Sequence, residues 1–139
     1  MKRIILLSIY SAILSSFVSI LYISLYYGKL IADFSIADFS ESINMKVLLM
    51  YNSIAFITAG TIYFGLSKLV KQEAILNFIF NFLTSLVTFS LVFLVLKMKD
   101  PIFKNEDAQL FIDYYKGFVM PLLFIPALSW FTLKPILER

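Results

Sequence analysis

The chain has 139 residues, of which 60% are hydrophobic and only 15% charged, well below the roughly 25% charge of a soluble domain. With no Cys and no His, it lacks thiolate and imidazole ligands for metals or haem, thiol redox chemistry and the usual proton shuttle near neutral pH. Its net charge of +3 comes from Lys and Arg scattered at the ends of apolar runs, which fits lipid headgroups as partners and not nucleic acid.

Four stretches carry no charged side chain: 4–28, 47–67, 74–96 and 117–133. About 20 apolar residues in a helix cross a hydrocarbon core about 30 Å thick. The expected fold class is therefore an all-α membrane protein. Four transmembrane helices, at about 4–28, 46–68, 74–97 and 114–134, form a single domain over 1–139 as an up-down-up-down bundle with short loops.

The first run follows Met1-Lys2-Arg3 and continues unbroken to Tyr27. That is longer than a signal-peptide core of about 7 to 15 residues, so it reads as an uncleaved anchor. Ser8, Ala12, Ser15 and Ser19 fall at steps of four, three and four, a strip of small side chains against which another helix can pack closely. Tyr26 and Tyr27 close the span at headgroup level.

Residues 31–40 read IADFSIADFS, a tandem copy of five residues. A period of five matches neither a helix face nor a strand, so the repeat reads as slippage in a loop, with Phe34 and Phe39 dipping into headgroups as the alternative. Asp38-Phe39-Ser40-Glu41 has capping-box spacing and predicts that the second helix starts near Phe39.

The second span carries Asn52 and, on one face, Thr58, Thr61 and Gly65, and the third carries Asn77, Asn81, Thr84 and Thr88 on one face with Ser85 beside them. The short connection from Lys68 to Glu73 predicts an antiparallel hairpin in which Asn77 meets Gly65, Asn81 meets Thr61 and Thr84 meets Thr58. Amides facing lipid would lose their partners, so the two polar faces are expected to pair. Asp100-Pro101 should end the third span, and Asn105, Glu106 and Asp107 should lead into the fourth helix.

The fourth span opens on Tyr114, Tyr115 and a snorkelling Lys116, with Trp130 as a headgroup-level ring at its other end. Gly117, Pro121 and Pro126 predict a kink, since each proline removes a backbone donor.

With the N-terminus inside, the Lys and Arg count is six on each side. The Lys2-Arg3 pair next to the first span favours a cell (inner) membrane location with both termini cytoplasmic. A tied count is also the mark of dual-topology proteins. The spans hold no acid, base or nucleophile with a partner to activate it, so neither catalytic residues, cofactor sites nor metal sites are expected. The chain has neither the embedded Glu of small multidrug exporters nor the Cys pairs of quinone-linked thiol oxidases. Its expected role is that of a non-enzymatic accessory, assembly or scaffold subunit whose partners are the bilayer and a second copy or another membrane protein. The alternative is a small-solute or ion conduit using the Asn/Thr face and the kinked fourth span.

Overall fold

A computed structural model describes residues 2–27, 39–40, 43–100 and 109–137. Among them are four long helices: α1 (Lys2–Leu25), α2 (Met45–Leu69), α3 (Glu73–Lys97) and α4 (Ile112–Leu137). Each is long and apolar enough to cross a membrane. A rise of about 1.5 Å per residue gives them lengths of about 36–39 Å, so they overrun the charge-free stretches at several ends. The backbone of such a helix satisfies its own polar groups, the condition for a stable element away from water.

The second helix starts later than the capping-box spacing predicts. Asn44, with extended backbone, is the N-cap of α2, and its side-chain oxygen accepts from the Val47 N–H at 3.2 Å. Upstream, the Ile43 N–H donates to the Phe39 carbonyl at 2.8 Å. Phe39 is fully buried, its ring 5.3 Å from that of Tyr115 and 5.6 Å from that of Phe118. An aromatic cage gives this ring more contact than a headgroup layer would, which overturns the dipping alternative for Phe39. Residues 28–38, with most of the tandem repeat, lie outside the described residues, as do Glu41, Asn105, Glu106 and Asp107.

Three residues, Val70 to Gln72, separate α2 from α3, and α3 ends at Lys97, just before Asp100. In α4 the helical conformation runs without a break through Pro121, Pro126 and Pro135. Space is open where a Cβ on Gly117 would sit, so no close packing demands that glycine.

α1 packs broadly against α2 on one side and α4 on the other, whereas α3 rests mainly on α4 and meets α2 far less. In its most apolar stretch α4 has 39% of residues buried and α3 only 17%, so α4 is the central helix and α3 keeps the largest unpartnered surface. One apolar cluster gathers Ile23, Leu48, Val95, Tyr115 and Phe118. The other gathers Leu7, Phe56, Tyr63, Phe80 and Trp130.

Two side chains expected at the headgroups belong to these clusters instead: Tyr115 is 0% and Trp130 1% exposed. The indole of Trp130 stacks with Phe56 at 6.3 Å and packs against Phe80 at 5.1 Å and Tyr63 at 5.8 Å. A large ring fills the space where α2, α3 and α4 approach one another, and its dispersion contacts there outweigh its preference for an interface.

Candidate functional site

Between the two apolar clusters lies a polar seam joining α1 to α2. Ser11, Ser15 and Ser19 are all buried, one turn apart on α1. Opposite them Asn52 is fully buried; the Ser15 hydroxyl donates to its Oδ1 at 2.6 Å, and its Nδ2 donates to Ser19 Oγ at 3.4 Å. The small-residue strip is thus present, with Ser11 deeper than Ala12. Further along the seam a Cβ on Gly60 would collide with the Ser8 hydroxyl and lie 3.5 Å from the Ser8 Cβ. Only a glycine lets the two helices come this close without displacing Ser8.

A second polar node ties α2, α3 and α4 together. The Tyr63 hydroxyl donates to Asn77 Oδ1 at 2.9 Å, and the Lys134 ammonium donates to the Tyr63 hydroxyl at 2.9 Å and also to Asn77 Oδ1. Lys134 is only 4% exposed, and its Nζ lies 4.6 Å from the centre of the Tyr63 ring. A buried ammonium needs oxygen acceptors to replace water, and a neutral carboxamide and a phenol supply two of them here. Reasoning from sequence assigned Lys134 to the charged rim. The sign available in the sequence was its spacing from Lys116: eighteen residues, about 27 Å along a helix, is less than the thickness of a hydrocarbon core of about 30 Å.

A cleft of about 410 Å³ opens between α2 and α3, with α4 as its floor. Its walls include Tyr51, Ala59, Leu83 and Val87, and its floor Pro126 and Trp130. Three threonines, Thr58, Thr84 and Thr88, also line it. The Thr84 hydroxyl donates to the Phe80 carbonyl and the Thr88 hydroxyl to the Thr84 carbonyl, both at 2.9 Å. Their protons are engaged by their own helix, and the rest of the lining is chiefly apolar.

The hairpin register expected between α2 and α3 does not form. Thr58, Thr61, Gly65 and Asn81 are exposed, Thr61 donates to its own Ile57 carbonyl at 2.8 Å, and Gly65 has open space beside it. Asn77 pairs with Tyr63 and Lys134, not with Gly65. The reason lies in α2: its Asn52–Gly60 side is committed to α1, where the serine strip permits a closer approach than the Phe-rich surface of α3.

Around the rim, Lys116 and Asp113 form an exposed ion pair at 3.3 Å, of a kind that contributes little. Among the described residues no group of three or more His, Cys, Asp or Glu could hold a metal ion. Compared with protein-family models, curated proteins and solved structures, the chain matches none. Its class is defined by its helices alone, whose four candidate spans suggest a membrane protein.

Proposed function

We propose that this chain is a multi-pass integral membrane protein whose four spans cross in alternating directions, and that it serves without catalytic machinery as an accessory, assembly or scaffold subunit. The observation that carries the reading is what the buried Asn52 and the half-buried Asn77 bind. Asn52 joins α1 to α2, and Asn77 joins α3 to α2 and α4. A conduit through Asn52, Asn77 and Asn81 would need the three side chains along one path, whereas two sit in separate networks and the third is exposed. Alternating direction is supported by the pairing of Leu7, near the start of α1, with Tyr63 and Trp130, late in α2 and α4. A cell-membrane location with cytoplasmic termini is supported by Lys2 and Arg3 in the first turn of α1, and by Lys68 in the last turn of α2 with Lys71 just beyond it on the same side.

The test joins purification in mild detergent with solute flux in proteoliposomes, for the parent protein and for a variant carrying Asn77→Leu and Asn81→Leu. A subunit role predicts assembly at a defined mass above the monomer, no flux from the parent, and altered assembly of a folded variant. Solute flux from the parent that the folded variant loses would replace this reading with the conduit.

A further inference from the structure

Asn81 is the exception to the pattern that every other amide within the spans obeys. Asn52 and Asn77 have partners on other helices, whereas the exposed Asn81 carboxamide makes no hydrogen bond in the described chain. It lies eight residues into α3 from Glu73, about 12 Å along the helix axis, a depth inside the hydrocarbon of the bilayer proposed above. The exposed hydroxyls of Thr61 and Thr132 have a way out, since each donates to the carbonyl four residues back at 2.8 Å and 2.7 Å. A carboxamide carries two donor hydrogens as well as an acceptor oxygen, and within a continuous helix the backbone N–H groups that could satisfy that oxygen are already engaged. Its group needs a partner from elsewhere.

We propose that the Asn81 face of α3 is a self-association surface whose occupant is a second copy of this chain. This rests on the membrane reading above and names the partner in it. The argument for a second copy is polar complementarity. Across a two-fold axis, Asn81 of each copy both donates to and accepts from the other, so the pair closes upon itself. A purely apolar partner would leave the Asn81 carboxamide unsatisfied. The flanking surface suits a helix contact: Ser85, one turn on, is small, and the stacked rings of Phe78 and Phe82 are 71% and 58% exposed beside it. α3 is also the helix with the least of its apolar stretch covered.

The test uses single cysteines in this Cys-free chain, reconstituted in liposomes and oxidised. Ser85→Cys should give covalent dimers, while Ile57→Cys, on the exposed side of α2, should stay monomeric. Adding Asn81→Leu to Ser85→Cys should lower the dimer yield about eightfold, the scale of the two interhelical hydrogen bonds the symmetric pair makes, with helicity by circular dichroism unchanged. Equal yields at Ser85 and Ile57, a yield indifferent to Asn81→Leu, or a monomer at both positions would overturn the proposal, as would cross-linking at Ser85 to a different protein only. Alkaline carbonate extraction separates the two readings. Release from membranes refutes the membrane assignment itself, whereas a retained monomer refutes only the self-association face.

Discussion

Ser15→Leu should be among the most damaging single changes in the protein, lowering stability by about 2–3 kcal/mol. Ser15 is fully buried and gives its hydroxyl proton to Asn52. Leucine both ends that bond and forces extra carbon atoms into the seam. Overpacking a tight site costs about 1–3 kcal/mol, and an interhelical hydrogen bond in lipid contributes about 0.6 kcal/mol on average; the two effects act in the same direction. Ser24→Leu, on the exposed side of the same helix, adds an equally greasy side chain and should be close to neutral. Unfolding of both variants in mixed micelles with increasing denaturing detergent gives the comparison. If the two variants prove equally stable, α1 and α2 do not meet along the serine strip.

Trp130→Ala should cost about 3 kcal/mol, near the low end of the range of about 3–5 kcal/mol for truncating a buried aromatic ring. The low end applies because, in the bilayer proposed above, acyl chains can enter the space vacated beside the α2/α3 cleft, which Trp130 already lines. What is lost is dispersion contact with Phe56, Tyr63 and Phe80. Leu128→Ala, two residues away and 58% exposed, should change stability by a few tenths of a kcal/mol. The same unfolding assay distinguishes a keystone from a headgroup anchor. A headgroup anchor would make the Trp130 and Leu128 variants similar in stability.

The spans were legible in the sequence because charge is excluded from them, and helix ends fell within about three residues of the charge boundaries except in α4, which runs beyond its charge-free stretch at both ends. The serine strip on α1 was legible as well, since small residues at helical spacing announce a close contact without saying with which helix. Choosing that partner was where local pattern ran out. Thr58, Thr61 and Gly65 share a face and looked like the polar side of α2, yet threonines satisfy themselves on their own backbone and carry little pairing information. The informative residues were Asn52 and Gly60, eight apart on the side that meets α1. Trp130 and Lys134 were misplaced for a common reason: residue-type rules for membrane interfaces describe averages. An indole or an ammonium goes inside when rings or oxygens from neighbouring helices are there to receive it, as Phe56, Tyr63 and Asn77 are.

The commitment of α2 to α1, with the polar groups of the spans spent on holding the helices together, is tested most directly by paired cysteines in native membranes. The Ser8 Cβ lies 3.5 Å from where a Gly60 Cβ would be, at the short end of the separation a disulfide bridges. A chain with Ser8→Cys and Gly60→Cys should therefore close an intrachain bond on mild oxidation, while one with Thr61→Cys and Asn81→Cys should not. Closure of the Thr61 and Asn81 pair, with the Ser8 and Gly60 pair remaining open, would mean that α2 turns its polar side to α3 and would contradict this account.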